Sequence, residues 1–176
     1  MNDDELQELV DAVVARRSLN GLKPHQLVDS IHRKRLPADR LSTIEPLLHI
    51  ESGVTYKYAI DVVGKMKGAS VEASDAVEAA WERSWKHDVP QANAEAFRAL
   101  LRIGDNEDRL LRMIERAMAV DNYGIHKDCV ETLLKMERGG PVLANWSDTL
   151  AGRCDCHLHR QLAEKIRRRL EDSTAP

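Results

Sequence analysis

The 176-residue sequence predicts an all-α fold on three observations. Aromatic residues make up only 4% of the chain, so the core has to be built from Leu, Val, Ile, Ala and Met, a vocabulary that favours helices over sheets. Apolar residues recur at helical spacing in most segments, and no convincing strand pattern interrupts them. Between those segments stand short clusters of Gly, Pro, Asn and Asp, the residues that turns use. A chain of this length buries roughly 70% of its unfolded surface, so neither a disulfide nor a metal is needed to hold the core.

Taken in order, Leu6, Leu9, Val10, Val13 and Val14 form the first apolar stripe. "NGLKP" at 20–24 and "LPAD" at 36–39 break the chain around a second helix. Pro46 lies within "RLSTIEPLLHI" and should kink or split that helix, since it removes a backbone donor and clashes with the preceding turn. Further breaks fall at "ESGV" (51–54), "KGAS" (67–70), "HDVP" (87–90), "GDNED" (104–108), "VDNYG" (120–124) and "RGGP" (138–141). Ala73, Val77, Ala80, Trp81 and Trp85 make one stripe between them, and Leu110, Leu111, Ile114 and Met118 another. Trp81 and Trp85, at i and i+4, are expected on one helix face as core residues, or as interface anchors if exposed.

Three segments align with one another: "ESGVTYKYAIDVVGKM" from Glu51, "DVPQANAEAFRALLRI" from Asp88 and "DNYGIHKDCVETLLKM" from Asp121. Each opens on an acid and places a small residue eight positions later, at Ala59, Ala96 and Cys129. Apolar residues follow directly (Ile60, Phe97, Val130), then four on (Val63, Leu100, Leu133) and seven on (Met66, Ile103, Met136). A further helix separates each copy from the next, so the unit is a helix pair. Over residues of about 40 to 140 this pattern resembles the HEAT-like α-helical repeats. The arginine common after the family's acid is not matched consistently; Lys57, Ala94 and Lys127 stand two before the small residue. The resemblance implies antiparallel helix pairs stacked as a short right-handed solenoid. One domain, 1–176, is expected: capping helices over 1–38, a repeat core over 39–140, capping helices over 141–172 and a disordered tail at 173–176.

Charge is nearly balanced, 26 basic residues against 29 acidic, so no global field recruits nucleic acid or an anionic membrane. "MNDDELQELV" is acidic where a signal peptide would be basic and apolar, and three cysteines fit reduced thiols, so a cytoplasmic location without membrane contact is expected. "RCDCHLHRQL" puts Cys154, Cys156, His157 and His159 into six positions as candidate metal ligands. Their C-x-C-H-x-H spacing departs from zinc patterns, and on a helix Cys154 and His157 lie on one side with Cys156 and His159 nearly opposite. Leu150, Cys154, Leu158, Leu162, Ile166 and Leu170 instead run at steps of four, which makes Cys154 a small hydrophobe in a buried stripe. His126 and Cys129, at i and i+3, are a weaker pair. No cofactor is expected, and no G-x-S-x-G, H-E-x-x-H or glycine-rich phosphate loop is present.

Lys65, Arg102 and Lys135 stand one per repeat at equivalent positions, and stacking would align them as a ladder with Asp61, Arg98 and Glu131 beside it. The plainer reading is three solvated cations at helix C-termini. The expectation is a non-enzymatic protein-binding module using these six residues, and, by analogy with small helical proteins of this size, an inhibitor or immunity-type protein. Nucleic-acid backbone binding through the ladder and Arg167, Arg168 and Arg169 is the alternative, and metal binding by the Cys154 to His159 segment is the third.

Overall fold

The computed structural model describes residues 1–50, 53–104, 106–152 and 157–174, with the side chains of 173 and 174 outside the description. Among these residues the protein is all-α, with ten α-helices and two short 3-10 turns. The chain divides into two compact units, Met1–Asn106 and Glu107–Pro176.

In the first unit, α1 (Asp3–Val14) starts at Asn2, whose side chain accepts from Glu5 N while Glu5 accepts from Asn2 N. That reciprocal cap satisfies two otherwise orphaned donors. Of its predicted stripe, Leu6, Val10 and Val13 are buried, whereas Val14 at the helix end is 46% exposed. An Asn20-Gly21 turn with both residues at positive φ joins α1 to α2 (Pro24–His32), which has proline in its first turn. Pro46 acts as expected: α3 (Leu41–Ile44) gives way to a 3-10 turn over Glu45–His49. The helices α4 (Gly53–Gly64), α5 (Val71–Arg83) and α6 (Asn93–Ile103) follow. Helix α4 packs on both α2 and α6, and α5 packs on both α4 and α6. The α4–α6 approach is close because Gly64 faces Ala99; a Cβ at Gly64 would lie 2.5 Å from Ala99 Cα.

One local expectation needs correction. Helix α5 ends at Arg83, and Trp85 belongs to a two-residue strand, β1 (Trp85–Lys86), paired antiparallel with β2 (Val89–Pro90). His87 and Asp88 both take positive φ, the backbone of a tight hairpin turn, and this local twist ends the helix before Trp85. Trp81 is completely buried, and the Trp85 ring meets it edge-on at 5.3 Å between centroids.

The second unit holds α7 (Glu107–Met118), α8 (Tyr123–Leu133), α9 (Gly139–Gly152) and α10 (His157–Thr174). Helix α8 packs on α7, α9 and α10, and α9 pairs along α10. Helix α10 takes in the first two residues, 173 and 174, of the tail expected to be disordered. The register shared by α4, α6 and α8 is reproduced as burial. Ala59, Ala96 and Cys129 are fully buried, as are Ile60, Phe97 and Val130 behind them and Val63, Leu100 and Leu133 beyond. Burial, with Asp128 adding to it, pushes the Cys129 thiol far above its ordinary pKa, which keeps it a packing group rather than a reactive one. Among the described residues no helix is long and apolar enough to cross a membrane.

Candidate functional site

In the first unit, α4 and α6 bring four of the six ladder residues into one neighbourhood. Asp61 projects from the last turns of α4, and Lys65 follows one helical turn later, its ammonium 2.7 Å from the carboxylate. Arg102 of α6 donates to the other carboxylate oxygen, and His32 at the end of α2 contacts Asp61 as well. Lys65 Nζ also lies 2.8 Å from His32 Nε2. That nitrogen has one role at a time: with a hydrogen it donates to Asp61, and without one it accepts from Lys65. The Tyr58 ring lies 5.1 Å from the His32 ring.

Burial alone would raise the pKa of Asp61, but hydrogen bonds from Lys65, His32 and Arg102 outweigh it and lower the carboxyl to about 2. Asp61 is therefore an ionised hub that holds its partners in place, and it is not a proton-transfer group near neutral pH. Beside it opens a cleft of about 360 Å³ lined by His32, Val54, Lys57, Tyr58, Asp61, Glu95, Arg98 and Arg102. Arg98 is half exposed and lies 3.7 Å from Glu95. The arrangement is a cationic surface ordered around two carboxylates, Asp61 and Glu95.

The other two ladder residues belong to the second unit. Lys135 is exposed, and Glu131 lies 3.9 Å from Lys127 and 3.8 Å from Lys165. On α10, Arg167 is paired with Asp148 at 3.0 Å, and a shallow cleft mixes Lys165, Arg168 and Arg169 with Glu164 and Asp172. These interleaved acids dilute the basic face that a phosphate backbone would need.

Of the proposed metal ligands, Cys154 and Cys156 lie outside the described residues, and His157 is exposed. His159 is buried and bonds His126, another fully buried histidine, at 2.9 Å, while His126 Nε2 lies 2.6 Å from Val120 O. A carbonyl only accepts, so His126 carries its hydrogen on Nε2 and receives one from His159 Nε2. Both ring nitrogens of His126 are thus engaged, Nδ1 with His159 of α10 and Nε2 with Val120 O just before α8, and neither is left for a metal pair with Cys129 in this arrangement. Among the described residues no group of three or more His, Cys, Asp or Glu is placed to hold a metal.

Sequence reasoning missed His32, Tyr58 and the His126–His159 bond. The only available signal was "HRKR", in which His32 stands among cations; nothing local joins it to Asp61, 29 positions away. Comparison with family models, with curated proteins and with solved structures returns no match. What the fold and site define is an all-α chain with a cation-rich polar face on α4 and α6.

Proposed function

We propose that this chain is a non-enzymatic, HEAT-like protein-binding module that receives an acidic protein surface on the α4–α6 face. The observation that carries the reading is the Asp61 hub: it fixes Lys65 and Arg102 beside Arg98 and Lys57, so the cations are ordered before a partner arrives. Ordering in advance reduces the entropic cost of binding, and a fixed field selects partners by complementary charge. The common burial of Ala59, Ala96 and Cys129 supports the repeat reading. Within this class an inhibitor or immunity-type role is proposed by analogy of size and fold alone. The free, buried Cys129 is consistent with the cytoplasmic location we assign to it.

Arg98→Glu combined with Arg102→Glu tests the assignment, both side chains being substantially exposed. Cross-linking from Lys57, followed by mass spectrometry of nuclease-treated extract, should identify a partner with the wild type and lose it with the double variant. An unchanged cross-linking profile would reject this face, and a partner lost on nuclease treatment would transfer the reading to nucleic acid.

A further inference from the structure

The Asp61 hub contains a contact that no single arrangement of hydrogens satisfies. His32 Nε2 meets the Asp61 carboxylate and also lies 2.8 Å from Lys65 Nζ, whose ammonium is itself 2.7 Å from the same carboxylate oxygen. A ring nitrogen that bears a hydrogen serves the carboxylate but opposes the ammonium, and a bare one serves the ammonium but turns its lone pair on the carboxylate. Neutral His32 exchanges between the two by moving its hydrogen from one ring nitrogen to the other. The imidazolium has only the first, because both of its nitrogens bear hydrogen.

The surroundings make Lys65 the member that gives way. Asp61, its carboxyl held at about 2, stays ionised, and Arg102 occupies its other oxygen. The Lys65 side chain is 34% exposed, against 20% for His32 and 18% for Asp61, and its flexible stem lets the ammonium turn to solvent. Among the described residues the ring's partners are Asp61, Lys65 and Tyr58, and Arg102 reaches it only through Asp61. Lys57, Glu95 and Arg98 line the same cleft. On α2 itself Asp29 is paired with Arg33, and Lys34 and Arg35 beyond are exposed. Helix α1 also packs on α2, but its acids Asp3, Asp4, Glu5, Glu8 and Asp11 are all exposed, and among the described residues it adds no hydrogen bond or ion pair to the ring.

We infer that His32 is a proton-operated switch for the α4–α6 face: uptake of a proton ties His32 to Asp61, releases Lys65 from the ring and strengthens the hold of the face on an acidic partner. Histidine is the side chain whose charge ordinarily changes between about pH 5 and 8, and Asp61 remains charged across that range. His32 lines the cleft with Arg98 and Arg102, so the added charge appears inside the cleft, and the freed ammonium can turn to the partner's carboxylates. One further unit charge about 4 Å from a carboxylate in water strengthens binding roughly fivefold. By reciprocity, an acidic partner favours the imidazolium by the same factor. The gain in affinity rests on the protein-binding reading of this face, whereas the exchange of hydrogen bonds does not.

Nitrogen-resolved imidazole spectra of the full chain, recorded from about pH 8 to about pH 5.5, follow the charge of His32, and the Lys65 ε-methylene signals report whether that side chain is held. Two distinct ε-hydrogen signals are expected at the upper pH, merging into one at the lower with the same midpoint as the His32 ring. His32→Gln should show no such transition, since a neutral amide takes up no proton. Lys65 signals that stay unchanged while His32 titrates, a His32 ring that keeps one state throughout, or a transition that persists in His32→Gln would each overturn the switch.

Hexaglutamate serves as the acidic probe, because its side chains stay largely ionised at about pH 5.5. Between the two pH values its affinity for the wild type should rise about fivefold more than its affinity for His32→Gln. Equal pH dependence of the two proteins would overturn the coupling of the switch to binding. Arg98→Glu should weaken the probe at both pH values and leave the Lys65 transition in place. Absence of probe binding at every pH would count against the protein-binding face alone, because the Lys65 signals judge the switch without any partner.

Discussion

Replacing Asp61 with Asn keeps the shape of the side chain and removes the charge around which His32, Lys65 and Arg102 gather. A carboxyl held at about 2 rather than 3.8 is stabilised in the fold by about 2 kcal/mol. The Asp61 side chain is only 18% exposed, so solvent screens these contacts less than it would a surface pair. The folded pKa is depressed, which means the contribution is complete well above the unfolded value and disappears as pH falls through the folded one. The stability gap between wild type and variant should therefore be about 2 kcal/mol at pH 7, about half that at pH 3 and a few tenths at pH 2. Urea unfolding followed by tryptophan fluorescence measures it, in a Trp146→Phe background so that Trp81 and Trp85 report on the first unit. A gap that stays constant from pH 7 to pH 2 would show that the loss comes from packing. A gap below about 0.5 kcal/mol at pH 7 would show that Asp61 is an ordinary surface carboxylate.

Other perturbations test separate parts of the fold. Gly64→Val should separate α4 from α6, since even the first added carbon meets the Ala99 backbone; a loss of about 2 kcal/mol is expected, read as a lower thermal midpoint. His126→Ala opens a cavity and leaves both Val120 O and the His159 donor without this partner, so urea unfolding should show a loss of about 2–4 kcal/mol. Zinc added to the His126→Ala protein should not restore it, and restoration would revive the metal reading. His87→Asn with Asp88→Gly suits the positive-φ hairpin turn and should raise stability by about 0.5–1 kcal/mol, a gain that calorimetry can detect.

Much of the secondary structure was legible without coordinates because its causes are local. Pro46 splits a helix through its own missing donor, Asn20-Gly21 supplies its own left-handed turn, and the repeated small and apolar positions of α4, α6 and α8 set which stripe each helix buries. The hairpin that ends α5 was hidden because His87 and Asp88 are not the residues that usually announce such a turn. The candidate sites were legible only in fragments. Helical periodicity identifies Asp61 and Lys65 as neighbours, but places Arg102 and His32 beside them only after α4 has packed between α2 and α6. The buried histidine bond likewise joins α8 to α10 across 33 positions of chain. By itself the sequence determined which faces must be buried, since that follows from the spacing of apolar residues along one helix. Which buried faces meet, and hence which distant polar groups come within hydrogen-bond reach, is decided by the shape fit of whole helices, as where Gly64 admits Ala99.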